Sequence, residues 1–225
     1  MENINLKIDH TLLRPDATQD DIDKLCQEAI DNDFRSVCVA SSWVSHIAET
    51  TKDKNLKICT VIGFPHGNNN LVSKVIEVED AIGDATEFDA VVNIGAIKSQ
   101  KWDYVESEIS ELRKYTYPYK LKYIIEIAYL NDFEIKKMCD LLIKHEVDYV
   151  KTSTGYGPRG ATVDDIKKLK DFTQNSILIK ASGGISDLKK AEAMLEAGAD
   201  IIGTSKSLEI MRATRNGKDT HLERH

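Results

Sequence analysis

The sequence has little cysteine, and its four cysteines show no arrangement typical of a disulfide framework or a zinc site. Cys26, Cys38, Cys59 and Cys139 form no C-x-x-C pair and no cluster with histidine. Cys38 and Cys59 lie inside apolar runs, where cysteine commonly acts as a small core residue. We therefore expect a reduced, cytoplasmic protein without a bound metal.

The sequence also lacks an excess of positive charge and any long apolar run. Its 225 residues include 30 Lys and Arg against 37 Asp and Glu, which gives a formal net charge of -7. Such a chain is poorly suited to bind nucleic acid, whose phosphates require a basic surface. The opening MENINLKIDH contains no apolar signal-peptide core, and no segment reaches the length of a membrane span. We expect neither nucleic acid nor a membrane as a partner.

Short apolar runs alternate with longer amphipathic segments along the whole chain. The runs are rich in Val and Ile and apolar on both faces, which is typical of buried parallel strands. Eight occur: LKID (6–9), SVCVA (36–40), KICTVIG (57–63), DAVVNI (89–94), KYIIEI (122–127), DYVK (148–151), ILIK (177–180) and DIIGT (200–204). The alternation predicts an α/β fold, a single-domain (β/α)8 TIM barrel over 1–225 with a polar C-terminal tail at 213–225. An open doubly wound sheet is the alternative.

The segments between the runs carry helix signals. Thr18 is a predicted N-cap, because acidic residues follow it in the first turn, and similar helix openings begin at Asn131 and at Thr162. Ser186 is predicted to cap a helix that stops at Gly198. In the segment 69–85, the predicted buried stripe consists of Val72, Val75, Ile76 and Ala81.

Two lysines end two neighbouring strands of the predicted barrel, Lys151 and Lys180. Active sites of such barrels lie at the carboxyl ends of the strands. Two ammonium groups there repel each other, and burial adds to the cost of their charge. We therefore expect a neutral amine, which is a nucleophile toward carbonyl carbon and forms Schiff bases. Alternatively, each lysine extends to solvent or pairs with a nearby acid.

Asp89 opens the fourth run and is a candidate partner of the two lysines. A carboxylate within hydrogen-bond reach of two amines could orient one of them and relay protons. The alternative is an ordinary aspartate at a strand start. His10, next to Asp9, could be an Asp-oriented base or could pack beneath the site. His66, in the loop GFPHGNNN, could be an acid, a ligand or a structural residue.

Three loops rich in glycine and hydroxyl groups follow the last three strands: TSTGYGPRG, SGG and GTS. Glycine lets backbone N–H groups approach an anion, and phosphate sites after strands seven and eight are frequent in this architecture. These loops therefore indicate a phosphate site, with ordinary turns as the alternative. Arg159 and Lys206 could add positive charge there or could lie in solvent.

Several segments together resemble the deoxyribose-phosphate aldolase family. VKTSTGYGP resembles its Schiff-base segment and KIDHTLLRPDAT its N-terminal strand, while GFPHG, FDAVVNIGAIKS, IKASGGI and AGADIIGTS match in order and spacing. The resemblance covers nearly the entire chain. It implies a class I aldolase that reversibly cleaves 2-deoxy-D-ribose 5-phosphate to D-glyceraldehyde 3-phosphate and acetaldehyde, in deoxyribonucleoside catabolism. It implies no metal or organic cofactor.

The resemblance also implies residue roles. Lys151 would form the imine, Lys180 would tune it and shuttle protons, and Asp89 would be the proton-relay acid. The residues expected to contact the substrate are Cys38, Thr152, Gly155, Gly183, Gly184, Gly203 and Ser205. Members of this family often form dimers or tetramers, so a homo-oligomer is expected. Arg159 and Lys206 stand where the family usually has glycine and serine, and we expect effects on phosphate affinity.

Two other functions are compatible with the residues. A different barrel enzyme acting on phosphorylated sugars, such as an isomerase, an epimerase or another Schiff-base aldolase, could use the same loops. Such an enzyme would not need this lysine pair. A non-catalytic sugar-phosphate sensor could keep the fold, but it would be expected to lose Lys151 or Asp89. An assay for released acetaldehyde distinguishes these functions.

Overall fold

The computed structural model describes residues 3–222 of the chain, with side chains as far as Arg215. Within that range, eight parallel strands pair in chain order and the last pairs with the first, which closes a barrel. The strands are β1 (Ile8–Leu12), β2 (Ser36–Val39), β3 (Ile58–Ile62), β4 (Glu87–Val91), β5 (Lys120–Ile124), β6 (Tyr149–Lys151), β7 (Leu178–Ser182) and β8 (Ile201–Thr204). The predicted (β/α)8 barrel is confirmed, and the open sheet is wrong.

Helices follow the strands and cover the outside of the barrel. They are α1 (Gln19–Asp31), α2 (Val44–Thr50), α3 (Leu71–Ala81), α4 (Ile94–Lys98), α5 (Trp102–Thr116), α6 (Asp132–Lys144), α7 (Val163–Thr173), α8 (Leu188–Glu196) and α9 (Ser207–Leu222). The polar segment predicted as a tail from 213 continues α9 to Leu222, and its last three residues lie outside the described range. Among the described helices, none combines the length and apolarity needed to cross a membrane.

Side chains cap the helices where polar residues precede them. The predicted N-cap Thr18 is confirmed, and the helix openings predicted at Asn131 and Thr162 are confirmed as well, each of the three residues forming a reciprocal capping box. The predicted cap Ser186 is wrong, because Asp187 accepts the hydrogen bond of the Lys190 backbone N–H at 2.9 Å. Gly198, at φ 115°, adopts the left-handed conformation that ends α8, as predicted.

Helix α3 turns a different face to the barrel from the one that its apolar spacing predicts. Val72 and Ile76 are 68% and 57% exposed. Ala81 of the predicted stripe is buried and Val75 is half-buried, but the buried face also contains Lys74 and Val78. Lys74 determines this orientation, because its Nζ donates hydrogen bonds to Glu108 Oε2 on α5 and to the Val91 carbonyl oxygen, both at 2.7 Å. This buried ion pair holds the carboxyl end of β4 in place. The candidate acid Asp89 lies on the same strand.

The strands also differ in extent from the apolar runs. β4 begins at Glu87 rather than at Asp89, and β5 ends before Glu126. β7 continues past Lys180 to Ser182. The earlier start of β4 includes the charged residue Glu87, which is tolerated inside the barrel because it pairs with Lys122 and Arg35.

Candidate active site

The structure brings the three predicted catalytic residues together. Lys151 and Lys180 are direct neighbours in the register of β6 and β7. Both are buried, at 3% and 0% exposure. The Nζ atoms of both lysines donate hydrogen bonds to the same atom, Asp89 Oδ2, each at 2.7 Å. A single carboxylate oxygen therefore connects the two amines.

Asp89 is the centre of the charged interior. Its second oxygen, Oδ1, accepts hydrogen bonds from Lys122 Nζ at 2.9 Å and from Cys59 Sγ at 3.1 Å. Burial alone would raise the pKa of Asp89, but the ammonium groups of Lys122, Lys151 and Lys180 lower it well below its usual range. Asp89 is thus a carboxylate at neutral pH, and its inward orientation is established.

Lys180 has a second carboxylate partner, Asp9 on β1. Asp9 Oδ2 accepts a hydrogen bond from Lys180, while Oδ1 accepts from Arg35 Nη1 and Ser36 Oγ, both at 2.7 Å. Burial favours the neutral amine of Lys180, but the charges of Asp89 and Asp9 outweigh it and raise its pKa. Lys180 is therefore kept protonated, as in the alternative that pairs a lysine with a nearby acid. Asp89 was the predicted partner, whereas Asp9 was not predicted beside it.

A second layer of charge lies beneath these residues. Lys122 Nζ contacts Glu87 Oε2 at 2.6 Å, and Arg35 binds both oxygens of Glu87 at 2.7 and 2.8 Å. These three residues were not predicted from the sequence. Two signals were available: Glu87 lies two positions before Asp89 and so shares its face of the strand, and Lys122 places a charge in an otherwise apolar run.

The two candidate histidines, His10 and His66, lie outside this network. His10 faces away from the barrel interior, where Nδ1 contacts Ser207 Oγ and Nε2 contacts Glu28 Oε2, both at 2.9 Å. The prediction of an Asp-oriented base is therefore wrong, because neighbouring residues of a strand point to opposite faces and Asp9 points inward. His10 contacts the outer helices α1 and α9 instead. His66 is exposed in the loop after β3.

A cavity of about 380 Å³ opens above the two lysines at the carboxyl ends of the strands. Lys151 lines it. Five residues predicted to contact the substrate also form its wall: Gly155, Gly183, Gly184, Gly203 and Ser205. Arg14 and Lys206 add two positive charges to the wall, and Arg14 was not predicted. The cavity thus combines an amine with groups suited to an anion.

Glycine is required at two kinds of position here. Gly183 and Gly184 adopt φ values of 86° and 73°, which side chains disfavour. A Cβ atom on Gly184 would meet nothing within 4 Å, so the open space of the cavity lies beyond it. At Gly203, a Cβ atom would lie 3.0 Å from Lys180 Cε. The absence of a side chain at Gly203 therefore allows Lys180 to lie against β8.

Two other predicted substrate residues do not line the cavity. Cys38 is fully buried, and its Sγ lies close to those of Cys59 and the carboxylate of Asp89. The Thr152 hydroxyl donates to the Ser182 carbonyl oxygen at 3.1 Å and accepts from its N–H at 3.0 Å. Thr152 thus joins β6 to β7, and substrate contact by either residue stays a prediction.

The same interior also groups atoms that could bind a metal ion. Cys38, Cys59 and Asp89 have donor atoms within 4.8 Å of one another, as do Asp9, Cys59 and Glu87. The three carboxylates already accept hydrogen bonds from lysine or arginine. A cation would therefore have to displace an ammonium group, so the arrangement favours amine chemistry.

The two residues that depart from the resembled motif lie in different places. Arg159 binds the Asp165 carboxylate at the start of α7 with both Nη atoms, and it lies outside the cavity wall. Lys206 lines the cavity, with Nζ 3.2 Å from Glu209 Oε1 on α9. Of the two, only Lys206 is placed to meet an anion in the cavity.

Relatives of known sequence span nearly the same length as this chain. The family model for the DeoC/LacD family aldolases matches residues 4–217. The deoxyribose-phosphate aldolase of Finegoldia magna is 46% identical over 209 residues, which cover 92% of this chain and 98% of that protein. The deoxyribose-phosphate aldolase of Brevibacillus brevis is 46% identical over 214 residues, which cover 95% and 97%.

Solved structures show the same likeness in three dimensions. The aldolase QR15 matches with a TM-score of 0.92 and 37% identity, and the match covers 100% of both chains. The deoxyribose phosphate aldolase of Aeropyrum pernix, described as a unique tetramer, matches with a TM-score of 0.87 and 31% identity over 94% of this chain and 91% of that one. Together with the lysine-lined barrel, these matches show that the chain belongs to the DeoC/LacD family of aldolases.

Proposed function

We propose that this aldolase reversibly cleaves 2-deoxy-D-ribose 5-phosphate to D-glyceraldehyde 3-phosphate and acetaldehyde through a Schiff base on Lys151. One observation carries the proposal: Lys151 and Lys180 bind one oxygen of Asp89 beneath a cavity walled by glycine loops. An amine at the floor supplies a nucleophile, and a protonated lysine beside it supplies an acid. The names of the relatives support the choice of substrate.

Imine formation is the first step. The unprotonated amine of Lys151 attacks C1 of the open-chain sugar, and the resulting carbinolamine loses water to give a protonated imine. Asp89 Oδ2, at 2.7 Å from Lys151 Nζ, is placed to take up the proton that the amine must lose. Lys180, held protonated by Asp89 and Asp9, is placed to donate a proton to the departing water.

Carbon–carbon cleavage follows from the imine. Its positive nitrogen accepts the electron pair of the C2–C3 bond as the Asp89 carboxylate, through a water molecule, takes the proton of the C3 hydroxyl. This step releases D-glyceraldehyde 3-phosphate and leaves an enamine on Lys151. Protonation of the enamine at C2, by the Asp89–Lys180 pair through water, and hydrolysis then release acetaldehyde. We propose that side chains and water complete these steps without a cofactor.

The phosphate is proposed to bind at the outer wall of the cavity. Gly183, Gly184 and Ser205 present backbone and hydroxyl groups there, and Arg14 and Lys206 add charge. The strand order separates these residues from Asp89 on β4, so the phosphate and the reacting aldehyde lie at different ends of the substrate. This separation suits a five-carbon sugar phosphate that reacts at C1.

The remaining expectations extend the proposal. We propose a homo-oligomer, dimer or tetramer, because the solved Aeropyrum pernix relative is described as a tetramer. We also propose one domain, a cytoplasmic location, and a role in the catabolism of deoxyribonucleosides, whose breakdown yields a deoxyribose phosphate. Sedimentation velocity of the purified chain would test the oligomer independently of the activity.

Steady-state cleavage of 2-deoxyribose 5-phosphate, with acetaldehyde detected as the product, tests the proposed function. We expect turnover in the wild type and loss to background in Lys151→Met, which keeps the length of the side chain but removes the amine. Lys136→Met is the matched control, because Lys136 is a surface lysine paired with Asp140 on the outer face of α6. The control should keep full activity.

Three results would count against the proposal. Turnover by Lys151→Met at the wild-type rate would show that catalysis does not require a Schiff base on Lys151. Conversion of the sugar phosphate without acetaldehyde release would indicate an isomerase or epimerase. Binding of the sugar phosphate without turnover would indicate a sensor.

A further inference from the structure

The side chain of Tyr156 crosses the mouth of the barrel. Tyr156 lies in the loop after β6, and its hydroxyl donates a hydrogen bond to the carbonyl oxygen of Leu13, after β1, at 2.9 Å. Its ring packs edge-on against Phe64, after β3, with centroids 5.6 Å apart at 88°. One side chain thus connects the loops of three strands.

Buried groups hold the backbone of Tyr156 in place. The backbone N–H of Tyr156 donates to Thr154 Oγ1 at 3.0 Å. Thr154 is in turn bound through its N–H and its hydroxyl to the carboxylate of Glu126, which is only 2% exposed. The position of the Tyr156 ring is therefore determined at both ends, although the ring itself is 52% exposed.

The crossing separates two cavities. On one side is the cavity of about 380 Å³ that Lys151 lines. On the other side is a cavity of about 470 Å³ with a mainly apolar wall that includes Ala40, Val61 and Phe64. Leu13 and Tyr156 belong to the walls of both cavities. The wall that they form is therefore the partition between two compartments. One is lined by the basic side chains of Arg14, Lys151 and Lys206 and is called here the polar compartment. The other is lined mostly by hydrophobic side chains, together with Ser41 and Glu77, and is called here the apolar compartment.

We propose that Tyr156 determines specificity by closing the apolar compartment to the carbon chain of the aldehyde substrate. The inference rests on the proposed function, since it assigns the polar compartment to the sugar phosphate. With the hydroxyl bound to Leu13, the chain of a substrate on Lys151 is confined to the compartment with the glycine loops. Without this bond, the ring is free to turn away and an alkyl chain can enter the apolar compartment.

Aldol addition of acetaldehyde to straight-chain aldehydes of increasing length tests this role. The proteins are the wild type, Tyr156→Phe, Tyr156→Ala and the control Tyr104→Ala, which removes a tyrosine of 37% exposure from the outer helix α5. We expect a flat dependence of kcat/KM on chain length in the wild type and the control. In Tyr156→Ala, each added methylene should raise kcat/KM by about fourfold, because burial of one methylene contributes about 0.8 kcal/mol. Tyr156→Phe, which keeps the ring and loses the bond, should lie between them.

The outcomes separate the parts of the inference. If kcat/KM depended on aldehyde chain length in the same way in all four proteins, the proposed role of Tyr156 would be overturned. If this dependence changed in Tyr156→Ala but stayed at the wild-type value in Tyr156→Phe, the role of the hydrogen bond would be overturned. The presence of the ring alone would then determine specificity. If the wild type added acetaldehyde to aldehydes but did not cleave 2-deoxyribose 5-phosphate, the proposed substrate would be refuted. The dependence of kcat/KM on chain length would still test the role of Tyr156.

Discussion

Replacement of Asp89 by Asn is the most informative change to the barrel interior. The amide has nearly the size of the carboxylate but carries no charge. Asp89 accepts hydrogen bonds from three lysines and Cys59 in a fully buried position. Removal of one partner from a buried ion pair costs about 3–5 kcal/mol, because it leaves a buried charge without compensation. We expect Asp89→Asn to lose about that much free energy of unfolding at pH 7.

The pH dependence of this loss has a definite sign. The pKa of Asp89 in the folded protein lies well below its usual value, so the folded carboxylate stays ionised where the unfolded one takes up a proton. The stability that the charge contributes is therefore complete above about pH 3.9 and is lost as the pH falls toward the folded pKa. The difference in free energy of unfolding between wild type and Asp89→Asn should therefore become smaller below about pH 3.9.

Urea unfolding followed by far-ultraviolet circular dichroism at several pH values measures both effects. Asp140→Asn serves as the control, because Asp140 forms an exposed pair with Lys136 on α6, and such pairs contribute about 0.3–0.5 kcal/mol. A loss in Asp89→Asn no larger than in the control would refute a buried charge network around this residue. The network would also be refuted if the difference in free energy of unfolding between wild type and Asp89→Asn became larger as the pH falls.

Three further changes test other parts of the account. Gly184→Ala should raise KM for the sugar phosphate in steady-state kinetics, because it strains a backbone at φ 73° and adds a methyl group toward the cavity; an unchanged KM would place the phosphate elsewhere. Arg159→Gly should lower the thermal midpoint through loss of the Asp165 pair and leave KM unchanged; a raised KM would contradict its position outside the cavity. Glu108→Met should cost about 3–5 kcal/mol in urea unfolding, and the double variant with Lys74→Met should recover much of that loss; additive losses would contradict a buried pair.

The sequence was sufficient to predict the barrel because its strands and helices alternate with clear periods. Apolar runs marked the eight strands, and polar residues ahead of acidic turns marked caps such as Thr18 and Thr162. The position of Lys151 and Lys180 side by side on neighbouring strands followed from the same alternation. Local patterns of this kind carry enough information to locate a site at the carboxyl ends of the strands.

The partners of each charge could not be predicted, because they come from strands distant in the chain. Lys180 contacts Asp9, which lies 171 residues earlier. Spacing predicted an apolar face for α3, but the helix buries Lys74 toward Glu108 instead. Charge depends on neighbours that only the closed barrel brings together.

Borohydride trapping of the enzyme during turnover tests the central claim most directly. Reduction of the imine formed with acetaldehyde would leave an N-ethyl group on the reacting lysine, which peptide mass spectrometry can locate. Reduction in the presence of acetaldehyde should place this group on Lys151, leave Lys180 unmodified and abolish activity. An adduct on another lysine, or full activity after reduction with substrate, would contradict the assignment of Lys151 as the Schiff-base residue.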